Sequence, residues 1–399
     1  MTAKPKFAIC GLGVVNGLDL GKSSRTLQAE AARRAILDAG LSRNDINGAI
    51  NGMGVGGVMP GGGGWPDSFA RVLGLPINFY WNVGRGGTGS LIAMNAAMQA
   101  LELGIADYVV VADGYAAWSN LHGKLKSDPM RGIRLATGNT ILGNELLGFT
   151  SAAAFHVLFA TRHMHEYGTT SEQLGAIAVQ TRDWACLNPD AQMHGKPITI
   201  EDHQNSPLVV APYHLLDFCL HSDVGVAYVL TTVERARDLP QPPVGVMGLG
   251  FGEHARQQWW DKTNYTQLDV APARDAAFRQ AGIELGDVDV AQLYDCFTAE
   301  VLFQLEDYGW CKKGEGGAFA ADGNIGPGGS IPVNTGGGQL SGFYMFDYTG
   351  LAEGIRQVRG ECGVRQVPDV EIALVTGHGG EMLVPGMCST HATAVLGKL

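Results

Sequence analysis

Tyr294 and Tyr344 carry phenol groups, which can take part in acid–base chemistry. Tyr294 opens the run Tyr-Asp-Cys-Phe-Thr at 294–298, and Tyr344 ends a glycine-rich run that begins at Val333. A phenol has an unperturbed pKa of about 10, so it is a neutral hydrogen-bond donor and serves as a base only where neighbours depress that value. The alternative is that each tyrosine is a packed aromatic residue with one satisfied hydroxyl.

Glycine-rich segments occur beside these candidates. The chain has 57 glycines in 399 residues, about twice the usual share, and they cluster without a repeating period. Such clusters are typical of turns in which the backbone approaches a ligand or adopts a positive φ. One turn spans Gly84–Gly89, and another runs from Gly377 to Gly380 and contains His378. A third, Gly61–Gly64, predicts either a loop over the site entrance or a solvent-exposed turn.

Disulfide and metal chemistry have little support in the sequence. The seven cysteines are an odd number, are widely scattered and form no Cys-x-x-Cys pair. This pattern argues against a disulfide framework or a cysteine zinc site, and it favours a reducing cytoplasm. His163 and His165 lie two apart on a predicted helix, so they face different directions and are not expected to share a metal. We expect no metal site.

Composition excludes several classes of function. The hydrophobic content is 45% and the charged content 17%, which predicts a folded chain with an ample core. The formal net charge is −11 and no dense Lys/Arg run occurs, which argues against a nucleic-acid partner. No apolar stretch approaches the length of about 18 residues that a membrane span needs. No secretory leader is recognisable, so an intracellular protein is expected.

The order of the predicted elements occurs twice along the chain. The segment from Lys6 to Gly13 predicts a strand that exits through Gly-Leu-Gly, and the segment from Val244 to Gly250 repeats it. Each is followed by a helix that stops at a glycine and then by an acidic loop. Continuous apolar strands that alternate with helices predict buried sheets covered by helices, an α/β fold.

This repetition predicts two similar α/β halves, residues 1–240 and 241–399. The proline-rich segment 240–243 is a plausible joint, because proline neither continues a helix nor donates to a sheet. The first half is longer, and we attribute the difference to a loop insertion at about 116–220.

The chain resembles the thiolase superfamily over essentially its whole length. The run 333–344 is similar to the superfamily segment that ends in Gly-His-Pro, and 82–90 is similar to its Cys-x-Ser-Gly turn. Residues 163–170, 217–223 and 294–298 resemble motifs of the sterol-carrier-protein type of thiolase, in which the last usually reads His-Asp-Cys-Phe. The resemblance implies a thiolase-like five-layered αβαβα fold with two similar halves.

Four positions that carry thiolase chemistry differ in this sequence. By the resemblance, Gly86 and Gly377 stand where the two reactive cysteines would be, and Tyr294 and Tyr344 stand where histidines would be. Covalent acyl transfer needs a nucleophile. Its loss leaves a site that can bind a CoA thioester and stabilise its enolate. We expect the substrate-binding positions to be Gly86, Cys296, Gly377, His378 and Gly379.

The changed positions are similar to those of thiolase-like aldolases that shorten steroid side chains. The resemblance implies retro-aldol cleavage of a β-hydroxyacyl-CoA, with a steroid side-chain CoA thioester as the expected substrate. The products would be a ketone or aldehyde and a shorter acyl-CoA, with Tyr294 and Tyr344 transferring the protons. CoA is then part of the substrate, and no cofactor is implied. Such aldolases work with a small OB-fold partner of the DUF35 type, so a homodimer within a heterotetramer is expected.

Two other functions remain open at the level of sequence. The chain could be a non-catalytic thiolase-like subunit that binds an acyl-CoA or a lipid, because the nucleophile is gone. It could also be an acyl-CoA acyltransferase that uses Cys296 or Cys388, although the motif of Cys296 places it as a residue that lines the site without attacking. Ketone release from a β-hydroxyacyl-CoA separates the aldolase from the first alternative, and a trapped acyl-enzyme would support the second.

Overall fold

A computed structural model describes residues 4–52, 68–83, 86–123, 152–253, 264–379 and 390–399. The predicted loop at Gly61–Gly64 and Cys388 lie outside these described residues. Within the described ranges, no helix is both long enough and apolar enough to cross a membrane.

Eleven strands are described, nine of which form one mixed sheet and two a separate hairpin. The strands are β1 (Phe7–Gly17), β2 (Gly48–Asn51), β3 (Phe79–Asn82), β4 (Val109–Ala116), β5 (Leu208–Val210), β6 (Tyr213–His214), β7 (Asp223–Thr232), β8 (Val244–Glu253), β9 (Val290–Gln292), β10 (Ile372–Gly379) and β11 (Thr390–Lys398). The order in the large sheet is β3-β2-β4-β7-β1-β8-β11-β10-β9, and β5 pairs with β6.

The described helices vary from one turn to about five turns. They are α1 (Ser24–Asp38), α2 (Phe69–Leu73), α3 (Gly89–Glu102), α4 (Ala117–Leu121), α5 (Ala152–Tyr167), α6 (Ser171–Leu187), α7 (Ile200–Asn205), α8 (Val233–Ala236), α9 (Val270–Ala281), α10 (Thr298–Tyr308), α11 (Gly316–Ala321) and α12 (Asp347–Arg359).

The strand order of the first part of the sheet is repeated in the second. From the centre outward, β1-β7-β4-β2 corresponds to β8-β11-β10-β9, with antiparallel, antiparallel and parallel pairing in both series. The two series meet where β1 pairs with β8, at Ala8 opposite Gly245 and Ile9 opposite Val244. The predicted duplication of element order is therefore confirmed, whereas the boundary at residue 240 stays a prediction.

The helices complete five layers. Helix α1 packs on β1, β4 and β7, and α9 packs on β8 and β11. Helices α3 and α12 contact each other and lie between the two series of strands. The layers are thus α1, the first strands, α3 with α12, the second strands, and α9. This arrangement confirms the predicted thiolase-like αβαβα fold.

Glycines inside β1 and β8 allow the outer helices to lie directly on the sheet. A Cβ added at Gly13 would overlap the carbonyl oxygen of Ala31 in α1, and one added at Gly250 would overlap that of Ala273 in α9. The Gly-Leu-Gly segments therefore lie within long strands, and the prediction that they form the strand exits was wrong. Their glycines allow the helix backbone to lie close to the strand backbone.

The segment between β4 and β7 contains the predicted insertion at about 116–220. It is fastened to the rest of the chain by Asp217, whose side chain is fully buried. This carboxylate accepts hydrogen bonds from His203 Nε2 (2.9 Å) and from the hydroxyl of Thr298 (2.6 Å). Nearby, the Cys219 amide donates to the Cys296 carbonyl oxygen at 3.0 Å. The segment is thereby attached to the loop that begins with Tyr294.

Replacement of a strand glycine should destabilise the fold. Gly250→Ala places a methyl group against the α9 backbone, and overpacking of this kind costs typically about 1–3 kcal/mol. Gly286→Ala is the matched control, because a Cβ at Gly286 meets no atom within 4 Å. The control should change the free energy of unfolding by less than about 0.5 kcal/mol. Denaturant titration of both variants checks this, and equal stability of the two would contradict the packing argument.

Candidate active site

A glycine turn and a glycine-containing strand end, far apart in sequence, touch through their backbones. The first, Gly86–Thr88, precedes α3, and the second is the end of β10 at Gly377–Gly379. A Cβ on Gly87 would overlap the carbonyl oxygen of His378, and a Cβ on Gly377 would lie 2.6 Å from the carbonyl oxygen of Gly87. Glycine is required at both positions because the two backbones leave no room for a side chain.

Tyr294 places its hydroxyl against the first turn. A Cβ on Gly87 would lie 2.7 Å from the phenol oxygen, so the two groups are immediate neighbours. The tyrosine follows β9 and is 5% exposed. Its backbone amide donates to Thr376 Oγ1 (2.8 Å), and its carbonyl oxygen accepts from Gln304 Nε2 (2.7 Å). These two bonds fix the backbone from which the ring projects.

Tyr344 meets Tyr294 from the other side. Its side chain lies close enough to that of Tyr294 for the two phenols to shift each other's pKa, and its backbone amide donates to Ser222 Oγ at 2.8 Å. The Tyr344 ring packs on Phe346 at a centroid distance of 4.8 Å and lies edge-on to Tyr115 at 6.2 Å. The side chain is only partly buried. The structure therefore brings together the two tyrosines that the motifs singled out.

Both phenols are protonated in this environment. Burial raises the pKa of Tyr294 well above its ordinary value, and the neighbouring Tyr344 raises it further. Burial is also the main cause of the raised pKa of Tyr344, to which Cys219 adds, while the neighbouring Tyr294 acts in the opposite direction. Each hydroxyl can therefore donate a hydrogen bond to an oxygen atom of a bound substrate at neutral pH.

Two cysteines border the tyrosine pair. Cys296 is 7% exposed, and both Cys296 and Cys219 contribute to the raised pKa values of Tyr294 and Tyr344. Burial raises the pKa of the Cys219 thiol to about 12, so this group stays a thiol. The attacking species in cysteine chemistry is the thiolate. The position of Cys296 beside both phenols agrees with a residue that lines the site.

His378 lies in β10, opposite His391 of β11. The expectation that it forms part of a turn was wrong, because the strand continues through Gly379. Its imidazole is 1% exposed and lies 3.6 Å from the carboxylate of Glu300, which also contacts His156 Nδ1 at 2.5 Å. The backbone carbonyl of His378 faces Gly87. Contact of His378, Gly379, Gly86 or Gly377 with a substrate stays a prediction.

Two buried carboxylates of the site were missed from the sequence. Asp295 accepts from the Gln339 amide (2.9 Å), and burial raises its pKa to about 7. Asp347 accepts from the amides of Ser90 and Leu91, both at 3.1 Å, and burial likewise raises its pKa to about 7. Tyr115 was missed as well. Asp295 stood within a quoted motif, whereas Asp347 and Tyr115 had no local signal.

No metal site was expected, and the structure offers no candidate in the part of the chain that it describes. Within those ranges, no group of three or more His, Cys, Asp or Glu side chains is placed to hold a metal ion. The six described cysteines are all free thiols.

Comparison with known proteins identifies the family. Residues 252–398 match the family "Thiolase C-terminal domain-like". A steroid side-chain-cleaving aldolase of Thermomonospora curvata is 37% identical over 382 residues, which cover 94% of this chain and 95% of that protein. The chain belongs to the thiolase-like aldolases. A second relative is the 17-hydroxy-3-oxo-4-pregnene-20-carboxyl-CoA lyase of Mycobacterium tuberculosis, which is 37% identical to this chain. The alignment covers 94% of this chain and 96% of the lyase.

A solved structure of the same family aligns with this chain over its whole length. The structure described as an Ltp2-ChsH2(DUF35) aldolase superposes with a TM-score of 0.84 and 35% sequence identity, over 100% of this chain and 99% of that one. A monomeric sterol-carrier-protein-2-thiolase-like protein of Mycobacterium smegmatis has a TM-score of 0.70 at 19% identity, which supports the fold alone.

Removal of the Cys296 thiol should leave most of the activity in place. Cys296→Ala removes a buried sulfur beside the tyrosines, so we expect a loss in kcat that reflects packing only. The matched control is Cys10→Ala, which removes a fully buried thiol from β1, far from the two tyrosines in sequence. Carbon–carbon cleavage of a CoA ester by both variants is the measurement. Abolished turnover in a folded Cys296→Ala protein would show that the thiol takes part in the chemistry.

Proposed function

We propose that this aldolase cleaves a β-hydroxyacyl-CoA by a retro-aldol reaction that uses two phenols and no cysteine nucleophile. The observation that carries the proposal is the adjacent pair of phenols, Tyr294 and Tyr344, beside the contact between the Gly86–Thr88 turn and the end of β10. Family membership supports the reaction class, because two relatives of high coverage are named as an aldolase and a lyase. The protein is a carbon–carbon lyase.

The reaction needs only proton transfer and stabilisation of an oxyanion. A base removes the proton of the β-hydroxyl group, and the bond between the α- and β-carbons breaks as the ketone forms. The electron pair of that bond passes to the thioester, which becomes an enolate. Protonation of the α-carbon then gives the shorter acyl-CoA. Hydrogen-bond donors aimed at the developing enolate oxygen lower the barrier.

A pair of neighbouring phenols suits the proton balance of this reaction. One proton leaves the substrate hydroxyl and one proton returns to the α-carbon, so the enzyme ends in its starting protonation state. Tyr294 and Tyr344 are near enough to each other to relay that proton without an outside donor. Both phenols are protonated at rest because their pKa values are raised, so neither acts as a free phenolate base. The phenol that accepts the hydroxyl proton gives up its own proton in the same step.

The proposed substrate is a steroid side-chain CoA thioester. The relative from Mycobacterium tuberculosis is named for 17-hydroxy-3-oxo-4-pregnene-20-carboxyl-CoA. Retro-aldol cleavage of that compound yields the 17-ketone of the ring system and propanoyl-CoA. On the side of Tyr344, the aromatic rings of Tyr115 and Phe346 supply apolar surface, which is compatible with an apolar ring system.

We propose a DUF35-type OB-fold protein as partner, in a heterotetramer built on a homodimer of this chain. The solved relative with a TM-score of 0.84 is described as a complex of this kind. The net charge of −11 leaves few cations to meet the phosphates of CoA, so a partner could supply them. The cytoplasm, where CoA thioesters are metabolised and thiols stay reduced, is the proposed compartment.

Loss of either phenol should abolish most of the turnover. Tyr294→Phe and Tyr344→Phe keep the ring packing and remove the proton-transfer group, so each should lower kcat about a hundredfold or more. The double variant should lose less than the product of the two effects, because the groups act in one step. Ketone release from 17-hydroxy-3-oxo-4-pregnene-20-carboxyl-CoA is the measurement.

A tyrosine outside the site provides the control for these variants. Tyr308 is fully buried, and its hydroxyl bonds to Thr393 Oγ1 (2.5 Å) and His391 Nε2 (3.1 Å). Tyr308→Phe should lower stability by about 1 kcal/mol and leave kcat unchanged. If Tyr294→Phe and Tyr344→Phe were folded and cleaved the ester at the rate of Tyr308→Phe, the two phenols would be packing residues. A wild-type protein that binds the ester without cleaving it would instead favour the non-catalytic subunit.

The partner proposal has its own test. The chain purified alone should be poorly soluble or weakly active, and co-expression with a DUF35-type OB-fold protein should restore ketone release. Size-exclusion chromatography with light scattering then measures whether the complex has the mass of two copies of each chain. Full activity of the isolated chain as a single monodisperse species would contradict the proposal.

A further inference from the structure

Asp347 is the first residue of α12 and follows Tyr344 by three positions. Its side chain is 1% exposed. Oδ1 accepts from the Ser90 amide and Oδ2 from the Leu91 amide, each at 3.1 Å. Both amides belong to the first turn of α3, which begins one residue after the Gly86–Thr88 turn. A carboxylate from one helix thus binds the N-terminus of another, across 257 positions of sequence.

The first amides of a helix have no partner within the helix itself. In α3, the N-cap residue Thr88 makes no side-chain capping bond. Asp347 supplies that bond from outside, and the partial positive charge of the helix N-terminus favours its carboxylate. The capping group of α3 therefore comes from the segment that carries Tyr344.

The backbone between Tyr344 and Asp347 is held in an uncommon conformation. Phe346 has φ +54° and ψ −145°, a region that residues other than glycine rarely adopt. Such a residue persists only where the surrounding structure fixes it. The fixing bonds are those of Asp347, the Tyr344 amide to Ser222 Oγ (2.8 Å) and the Met345 amide to Thr349 Oγ1 (2.9 Å).

The side chain of Asp347 also packs against Gly377, at the position that a side chain of residue 377 would occupy. A Cβ added at Gly377 would lie 3.1 Å from the Asp347 Cβ, in addition to its overlap with the Gly87 carbonyl. The aspartate therefore contacts the first turn of α3, the end of β10 and the tyrosine segment at once. These are the three elements that surround the tyrosine pair.

We infer that Asp347 is a positioning residue for the tyrosine pair, which anchors the Tyr344 segment to the N-terminus of α3 and so fixes Tyr344 relative to Tyr294. The inference rests on the proposed function for its kinetic consequences. Asp347 is buried behind the turn, and both of its carboxylate oxygens accept from backbone amides of α3. Its loss should therefore lower the rate of the chemical step and leave substrate binding nearly intact.

Two substitutions distinguish the loss of the hydrogen bonds from the loss of side-chain volume. Asp347→Ala removes both acceptor oxygens, and Asp347→Asn keeps the size and one acceptor. With 17-hydroxy-3-oxo-4-pregnene-20-carboxyl-CoA and the full chain in its complex, we expect kcat to fall about a hundredfold in Asp347→Ala, as misplacement of reacting groups does. Asp347→Asn should recover part of that loss, and KM should change by no more than about threefold in either.

A matched control comes from the far end of β10. Asp289 also accepts from two successive backbone amides, those of Glu371 (2.9 Å) and Ile372 (2.8 Å), at the end of the strand opposite Gly377. Asp289→Ala should leave kcat unchanged. Wild-type kcat in a folded Asp347→Ala protein, or an equal loss in Asp289→Ala, would overturn the inference.

Amide hydrogen exchange tests the anchor without reference to activity. The Ser90 and Leu91 amides should exchange faster in Asp347→Ala than in wild type, while the rest of α3 stays protected. If Asp347→Ala does not fold, Asp347→Asn decides: unchanged kcat together with unchanged exchange of both amides refutes the inference. If the wild-type complex releases no ketone, the proposed function fails, and the exchange measurement still decides whether Asp347 is the anchor.

Discussion

The backbone of Gly87 lies directly against the backbone of β10 at Gly377, with no side chain between them. Every other feature of the site depends on this contact. It brings the Tyr294 hydroxyl to the start of α3, and it brings Asp347 within reach of the Ser90 amide. A side chain at residue 377 would push the Gly86–Thr88 turn away from the end of β10. The close contact of these two segments therefore requires that position 377 carry no side chain, and hence no thiol.

The scaffold uses close backbone approach in a second place. Glycines in β1 and β8 let α1 and α9 lie on the strands at distances that a Cβ would prevent. The outer layers are thin and rigid as a result, because helix and strand backbones contact without intervening side chains that could change rotamer. The inner pair, α3 and α12, carries the site and is held between two such supported layers of strands. Rigid support of this kind keeps catalytic groups in a fixed geometry.

Local chemistry in the sequence predicted much of the fold. The apolar strands, the glycine stop of α9 at Gly282 and the repeated acidic loops follow from short-range rules, and all are present. The position of the Gly-Leu-Gly segments was misjudged, because the sequence alone does not distinguish a strand glycine that packs against a helix from a glycine in a turn. His378 was placed in a turn for the same reason, since pairing with His391 is a long-range event.

The candidate site was predictable only in part. Tyr294 and Tyr344 were found because each replaces a residue within a motif, whereas Asp347 and Tyr115 act through partners far along the chain. No local pattern reveals that a carboxylate at the start of α12 completes the first turn of α3. The roles of such residues depend on which elements the fold brings together, and burial of an acidic residue is visible only in three dimensions.

The bond between Asp347 and Ser90 also bears on how the protein is made. Ribosomes deliver the chain from its N-terminus, so α3 must wait for 257 further residues before its capping carboxylate exists. During that interval, only water or temporary contacts can accept hydrogen bonds from its first amides. The first turn of α3 therefore lacks this bond until residue 347 has been synthesised. Assembly of the reactive centre is thus a terminal step of biosynthesis, and a truncated chain would have the helix without its cap.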